Sequence, residues 1–354
     1  MNGLIEQWQD RVRQAAATGG ALRLQGGGSK LFYGRRVAGE LFETSAWRGV
    51  VRYEPTELVI TARCGTPLAE IEQVLAERGQ MLAFEPPHFG AATLGGMLAA
   101  GLSGPRRAAA GAVRDHVLGV RLLDGRGELL RFGGEVMKNV AGYDVSRLMV
   151  GALGTLGLIL EASLKVLPRP AAERTQRLAM GQDEALRTMN RWGGQALPIS
   201  ATCWCEDVLH VRLSGAAAAV DAAAARIGGE ALEAGAGSRL WLSVREQTHP
   251  FFQGEAGLWR VSLPSNAGPM QAGSATLIEW GGALRWVRHL AEDESVRKAA
   301  WPLNGTASLF RAGGTSSLQP FEALSPPLAA LHRRLKEAFD PAGVFNRARM
   351  YADW

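Results

Sequence analysis

The chain has 354 residues, enough for two domains that each bury a hydrophobic core. Apolar residues make up 47% and charged residues 21% of the chain, a globular composition that excludes a disordered or fibrous protein. Lys and Arg outnumber Asp and Glu by 39 to 34, and no run of five basic residues occurs, so the charge does not indicate a nucleic-acid-binding protein.

Metal sites and disulfides are not expected from the sequence. The three cysteines, Cys64, Cys203 and Cys205, are too few for a disulfide framework or a structural metal quartet, and the six histidines form no pair at metal-ligand spacing. The first ten residues include two acidic side chains where a secretory signal would be apolar, and no stretch has 18 uninterrupted apolar residues. We therefore expect a soluble, cytoplasmic chain.

The first half of the chain alternates helix and strand patterns. A helix is predicted over the segment that ends at Arg78, with Thr66 as N-cap, Pro67 at the first helical position and Gly79 as the stop. The other predicted elements are, in chain order, a helix at Leu4–Ala17, strands at Ala21–Leu24 and Leu58–Ala62, a hairpin of Val117–Leu123 with Glu128–Phe132, and a strand at Leu164–Leu167.

Pro168-Arg169-Pro170 is the best candidate for a domain boundary. Beyond it the sequence is rich in alanine and tryptophan, and the tryptophans fit either a core or a protein interface. The predicted elements there are a helix at Ala216–Ile227, strands at Leu240–Val244, Leu258–Leu263 and Leu277–Trp280, and a last helix from Pro326 to Phe339 with Leu328, Leu331, Leu335 and Phe339 on one side.

Three glycine-rich loops lie in the first half, at 25–30 (QGGGSK), 91–104 (AATLGGMLAAGLSG) and 151–159 (GALGTLGLI). Successive glycines let several backbone N–H groups converge on one anion, and Ser29 and Lys30 would add a hydroxyl donor and a positive charge. The order Gly-Gly-Ser-Lys does not fit a Walker loop, and Leu31 stands where a Rossmann pattern needs glycine. A flexible turn or tight sheet packing explains the glycines equally well at this point.

Four segments resemble the FAD-binding domain of the vanillyl-alcohol oxidase type, also called PCMH-type: 21–34, 91–104, 113–132 and 138–167, the last reading KNVAGYDVSRLMVGALGTLGLILEASLKVL. The closing LKEAFDPAGVFNRARM (335–350) is similar to the family's C-terminal segment. Within the family, FEPPHFG and GLSGPRRAAAGAVRDHVLG resemble the FAD-binding subunits of bacterial glycolate oxidases.

The resemblance implies an α+β fold in three parts. Residues 1–169 would form a two-subdomain PCMH-type FAD-binding domain, 170–326 a smaller α+β cap domain, and 327–354 a C-terminal helix and segment returning to the FAD domain. FAD would be held noncovalently, because no His or Cys occurs between residues 21 and 63, where the family often attaches it. The residues implied to bind FAD are Gly26, Gly27, Gly28, Ser29, Lys30, Thr93, Gly95, Gly96, Gly101, Ser103, Gly157 and Ile159.

The implied function is that of the FAD-binding subunit of a glycolate oxidase complex, which oxidises glycolate to glyoxylate and passes electrons to an iron–sulfur subunit. Its partners would be that subunit and a catalytic flavoprotein subunit. The His-x-Gly-Asp-Gly-x-x-His segment of the catalytic relatives is absent, so catalytic residues remain unassigned. Arg106, Arg107, Arg114, Tyr143 and His88 are candidates, and the sequence favours structural roles for Tyr143 and His88 and leaves such roles open for the arginines. The alternatives are a self-contained FAD-dependent 2-hydroxy-acid or polyol oxidoreductase and a non-catalytic scaffold subunit.

Overall fold

The structure is a computed structural model that describes residues 2–134, 144–270, 275–290, 293–314 and 317–353. It is a mixed α and β structure, which confirms the predicted fold class. The helices are α1 (Asn2–Thr18), α2 (Leu68–Ala76), α3 (Leu94–Ala100), α4 (Arg107–Ala110), α5 (Val113–His116), α6 (Gln182–Gly193), α7 (Ala217–Ile227), α8 (Ala234–Arg245), α9 (Ser295–Ala300) and α10 (Pro326–Phe339).

The strands fall into two large and two small sheets. They are β1 (Leu22–Gln25), β2 (Glu40–Glu43), β3 (Val50–Glu54), β4 (Val59–Arg63), β5 (Gln80–Met81), β6 (Val117–Leu123), β7 (Leu129–Gly133), β8 (Leu158–Lys165), β9 (Leu167–Pro168), β10 (Ala172–Ala179), β11 (Ile199–Cys205), β12 (Val208–Gly215), β13 (Glu230–Ala231), β14 (Gly257–Ser262), β15 (Ala275–Glu279), β16 (Leu284–His289) and β17 (Thr306–Arg311).

The first large sheet is antiparallel, in the order β3-β4-β8-β6-β7. Its central strands β4 and β8 are almost wholly buried and pack against α2 and α3, so they carry the continuous apolar sequence expected of covered strands. The predicted hairpin of β6 and β7 is present. This sheet places the third glycine loop directly before β8.

The second large sheet has eight antiparallel strands, in the order β13-β10-β12-β11-β15-β16-β14-β17. Helices α6 and α7 cover one face. The opposite face meets residues of the N-terminal half, including Phe32, Phe89 and Leu102, in a shared aromatic core. The chain passes from the first large sheet to the second around residues 166–171, where the sequence predicts a domain boundary. The division of the chain into domains remains a prediction.

Most of the tryptophans of the second half belong to the core. Trp192, Trp204, Trp241, Trp259 and Trp286 are buried, whereas Trp301 is 80% exposed. Their burial favours the core interpretation for all of these except Trp301.

Two local predictions are wrong. The segment 240–244 belongs to helix α8, because its short alternation of apolar and polar residues is part of a longer helical stretch. Thr66 does not cap α2, since Pro67 is the N-cap and the Thr66 hydroxyl instead accepts a hydrogen bond from the Gly49 N–H. The last helix, α10, is present with the predicted bounds; Leu335 and Phe339 pack against the core, whereas Leu328 and Leu331 are 42% and 52% exposed.

Within the described residues, no helix combines the length and apolar character needed to cross a membrane.

Candidate functional site: a cleft under three glycine loops

The three glycine loops meet around one cleft. Its walls come from residues 25–31, from α3, from residues 152–159 and from two C-terminal side chains, Asn346 and Arg349. The empty space inside it is about 990 Å³, including its opening to solvent. The cleft therefore brings together segments that are more than 300 residues apart in the chain.

The first loop presents a row of unused backbone donors. Among the residues that the structure describes, none accepts a hydrogen bond from the N–H groups of residues 26–30. The loop lines the cleft, and Gly28 has a left-handed φ of 71°. Successive N–H groups in such a turn form a concave site for an anion. The first loop therefore fits the diphosphate of a dinucleotide.

Two of these glycines also let the first and second loops touch. A Cβ on Gly27 would lie 1.4 Å from the carbonyl oxygen of Ala91, and a Cβ on Gly26 would lie 2.3 Å from the hydroxyl oxygen of Thr93. The Ala91 oxygen is part of the backbone and has little room to move. Gly27 is thus required for the close approach of the two loops, and the cleft takes its shape from that approach.

The second loop lines the cleft with residues between Thr93 and Ala100. Thr93, Gly95 and Gly96 line it, and the Thr93 hydroxyl accepts a hydrogen bond from the Gly96 N–H at the start of α3. Gly101 and Ser103, also predicted to bind FAD, are not among the residues that line the cleft. Gly101 ends α3 with φ 64°, and the Ser103 hydroxyl oxygen accepts a hydrogen bond from the Val113 N–H, because the chain turns away after α3.

The third loop lies against the cleft from the other side. Gly154, Gly157 and Ile159 all line it. Gly157 has φ 152° and Gly154 has φ 70°, conformations that favour glycine. A Cβ on Gly154 would lie 2.7 Å from Nδ2 of Asn346, so the loop is packed against the C-terminal segment.

The C-terminal segment closes the cleft through residues that the sequence motif alone did not single out. The Asn346 side chain accepts from the Leu24 N–H at 2.8 Å and donates to the Leu153 carbonyl at 2.7 Å, which ties β1 to the third loop. Arg349 is 9% exposed and donates to the carbonyl oxygens of Arg35 and Leu31 at 2.8 and 3.1 Å. Burial lowers the pKa of Arg349 to about 10. These contacts place a positive charge beside the first loop.

Lys336 and Asp340 anchor that segment. The Lys336 ammonium donates to Asp340 and to the Thr155 carbonyl, each at 2.6 Å, and to the Phe345 carbonyl at 3.1 Å. Both side chains are buried. Burial lowers the pKa of Lys336, against the opposing effect of the Asp340 charge. The pair fixes α10 against the third loop.

Lys30 is the charged side chain of the first loop. Its ammonium donates to the His88 carbonyl at 3.0 Å and lies 5.5 Å from the centre of the Phe89 ring. Burial lowers the pKa of Lys30 to about 8, although the Glu246 carboxylate favours the charged form. A bound anion would stabilise the charged form further.

Several predicted candidates have structural partners instead. Arg106 forms ion pairs with Glu85 and Glu173 at 3.2 and 2.8 Å. The imidazole of His88 lies 3.2 Å from a carboxylate oxygen of Glu72. Arg114 is exposed, and Tyr143 lies outside the described residues.

Arg107 differs from Arg106. Its guanidinium stacks on the Trp280 ring at 4.3 Å, and no carboxylate in the described part of the chain pairs with it.

The described residues contain no cluster of three or more His, Cys, Asp or Glu side chains that could hold a metal ion.

The comparisons with known proteins agree with this geometry. Residues 4–133 match the family model described as an FAD binding domain. The alkyldihydroxyacetonephosphate synthase structure superposes on 96% of this chain and 74% of its own, with a TM-score of 0.66 at 16% identity, which shows a shared fold. The protein is therefore an FAD-binding flavoprotein of the PCMH type, and its relatives are FAD-dependent oxidoreductases.

Two relatives narrow the family. The chain is 49% identical to glycolate oxidase subunit GlcE of Escherichia coli (strain K12) over 345 residues, covering 97% of this chain and 96% of that protein. It is 31% identical to glycolate oxidase subunit GlcD of Bacillus subtilis (strain 168) over 126 residues, covering 36% of this chain and 27% of that one. The chain belongs to the family of glycolate oxidase subunit GlcE.

Proposed function

We propose that this chain is the FAD-binding subunit of a glycolate oxidase complex. It binds one FAD noncovalently and supports the oxidation of glycolate to glyoxylate, with electrons passed to an iron–sulfur subunit. The observation that carries the proposal is the row of unused N–H donors at residues 26–30, in a chain aligned with GlcE along nearly its whole length.

The residues around the cleft fit FAD. The N–H groups of Gly26 to Lys30 would hold the diphosphate, with Lys30 and Arg349 supplying positive charge. Thr93, Gly95, Gly96, Gly157 and Ile159 would line the dinucleotide, because their small side chains or backbone leave the walls flat. Bound FAD supplies a hydride or electron acceptor, chemistry that amino-acid side chains lack.

Noncovalent binding is supported by the nearby cysteine and histidine. Cys64 lines the cleft, and burial raises the pKa of its thiol to about 12, so the nucleophilic thiolate is scarce at neutral pH. His88 is held beside Glu72, and its backbone N–H donates to Glu246. Neither side chain is placed as an attachment point for the flavin.

A subunit role is supported by what the sequence lacks. The His-x-Gly-Asp-Gly-x-x-His segment of the catalytic relatives is absent from the sequence. The partners of this chain are then a catalytic flavoprotein subunit and an iron–sulfur subunit. Through them the complex would lie in the cytoplasm, at the inner face of the membrane.

Purification of the tagged chain from its native host tests this proposal. We expect a second flavoprotein and an iron–sulfur protein to co-purify with it. We also expect the isolated chain to carry FAD but to oxidise glycolate far more slowly than the complex. Full-rate glycolate oxidation by the isolated chain with a dye acceptor would contradict the subunit role and favour a self-contained oxidoreductase.

A further inference from the structure

Residues 88 and 89 contact both the first glycine loop and the eight-stranded sheet. The Lys30 ammonium donates a hydrogen bond to the His88 carbonyl at 3.0 Å and lies 5.5 Å from the centre of the Phe89 ring. The Phe89 ring also contacts the ring of Phe310 on β17, with the two centres 6.3 Å apart. This short segment therefore connects the charged side chain of the cofactor cleft to the second half of the chain.

A carboxylate of the second half holds this segment in place. Glu246 follows α8 directly, and its carboxylate accepts hydrogen bonds from the His88 N–H at 3.1 Å and from the Phe89 N–H at 2.9 Å. Phe89 has a left-handed φ of 51°, a conformation that is unfavourable for a bulky residue and needs support from its surroundings. Two charge-assisted hydrogen bonds to successive N–H groups provide that support. The position of the His88 carbonyl, and with it that of the Lys30 ammonium, thus depends on Glu246.

The charge of Glu246 also acts on Lys30. Burial lowers the pKa of Lys30 to about 8, and the Glu246 charge opposes this effect. In the described part of the chain, no carboxylate lies within ion-pair distance of the Lys30 ammonium, so its charge is free to meet an anion in the cleft. The other charged or titratable groups that face this region are Arg349 of the C-terminal segment, Arg245 paired with Glu246, and Glu72 of α2 paired with His88.

We propose that Glu246 is a positioning residue for FAD, which acts through the backbone of His88 on the ammonium group of Lys30. The inference rests on the proposed contact between Lys30 and the FAD diphosphate. Glu246 is not among the residues that line the cofactor cleft, so its effect on FAD passes through Lys30. The second half of the chain thereby sets the position and the charge of a group that binds the cofactor.

The pH dependence of FAD binding to the flavin-depleted full chain tests this inference. In the wild type the dissociation constant should begin to rise at about pH 8, where Lys30 of the free protein loses its proton. In Glu246→Gln the rise should begin at a lower pH, because burial then lowers the pKa of Lys30 without the opposing charge. The ratio of the dissociation constants at about pH 8 and about pH 6 should be roughly threefold or more larger in Glu246→Gln than in the wild type. Flavin fluorescence titration measures both constants.

Two further variants give the direction of the effect and its control. Arg245→Gln should move the rise to a higher pH, because the Arg245 guanidinium lies 2.8 Å from the Glu246 carboxylate and offsets its charge. Glu233→Gln is the matched control, since Glu233 is an exposed carboxylate at the other end of α8 whose side chain does not cap the helix. We expect the wild-type pH profile from it.

A double variant shows whether Glu246 acts through Lys30. In Lys30→Met the titrating ammonium is gone, so adding Glu246→Gln should leave the dissociation constant independent of pH between about pH 6 and about pH 9. A pH-dependent effect of Glu246→Gln in the absence of Lys30 would contradict this route.

The inference is overturned if Glu246→Gln keeps the wild-type pH profile, or if it weakens FAD binding by the same factor at every pH, as a purely structural role would. Either result leaves FAD binding and the proposed function intact, whereas a wild-type chain that binds no FAD would contradict the proposed function itself. If Glu246→Gln does not fold, Arg245→Gln decides: an unchanged profile, or a rise that moves to a lower pH, overturns the inference.

Discussion

The two cavities of this molecule present opposite kinds of binding group. The cofactor cleft offers main-chain N–H donors from residues 26–30, exposed by the absence of side chains. The smaller cavity, between the N-terminal half and the eight-stranded sheet, is lined by charged side chains that include Arg260 and Glu279 and by three aromatic rings, Phe89, Trp286 and Phe310. Backbone donors suit a ligand that is long and anionic. Loop geometry therefore shapes the cofactor cleft, whereas side-chain identity sets the chemistry of the smaller cavity.

The largest effect on FAD affinity is expected from Gly27→Ala, which disrupts the backbone geometry of the cofactor cleft. Its Cβ would lie 1.4 Å from the Ala91 carbonyl oxygen, so the loops must separate. We expect FAD to bind roughly 100-fold more weakly or worse, as measured by flavin fluorescence titration. Gly193→Ala is the control, because a Cβ there meets nothing within 4 Å. An unchanged dissociation constant for Gly27→Ala would contradict the backbone account.

A second effect comes from Lys336→Met, which leaves Asp340 buried without its ion-pair partner. We expect a loss of about 3–5 kcal/mol in the free energy of unfolding, measured by urea denaturation. Lys298→Met, at an exposed position of α9, should change little. Equal stability of the two variants would show that the C-terminal segment does not hold the cleft closed.

Glu279→Gln tests the smaller cavity, because this substitution should change how the free energy of unfolding depends on pH. The pKa of Glu279 is raised from 4.5 to about 7 by burial, so the folded protein holds this proton more tightly than the unfolded chain. The wild type therefore loses about 3 kcal/mol of stability from this group as the pH rises from about 4.5 to above about 7. Glu279→Gln has no titrating carboxyl group at this position, so it does not show this loss of stability.

Urea denaturation at both ends of this pH window measures the difference. Relative to the wild type, Glu279→Gln should gain stability as the pH rises. Glu230→Gln, at an exposed position, should show no such gain. A constant difference between Glu279→Gln and the wild type would mean that the carboxyl group is not shielded from water.

The smallest effect is the pH dependence of FAD affinity. The pKa of Lys30 is lowered to about 8 by burial, and a nearby diphosphate raises it again, so FAD binding takes up a proton above that pH. The dissociation constant should rise by at most about tenfold per pH unit above pH 8. In Lys30→Met the affinity should be weaker and independent of pH in this range. The same slope in both proteins would rule out Lys30 as the titrating group.

Much of the first site could be predicted from the sequence because its signals are local. Glycine runs, the Thr93 cap and the hairpin of β6 and β7 depend on residues close together in the chain. The resemblance to a known family then supplied the ligand. Gly101 and Ser103 were included because they share the second loop, yet α3 carries them past the cleft.

The remaining features depend on contacts between distant segments, for which a single sequence carries no signal. Arg349 and Asn346 reach the first loop from more than 300 residues away. Arg260 and Glu279 lie on separate strands, and only the order of the eight-stranded sheet brings them to one cavity. The error at 240–244 has another cause, because a five-residue window does not distinguish a strand from part of a helix.

The flavin content of the purified chain tests the central claim most directly. The account predicts one FAD per chain, with the flavin absorbance bands present, and full release of the flavin into the supernatant after acid precipitation. A protein that stays colourless when FAD is added would contradict the assignment of the glycine-loop cleft. Flavin that remains with the acid-precipitated protein would contradict noncovalent binding.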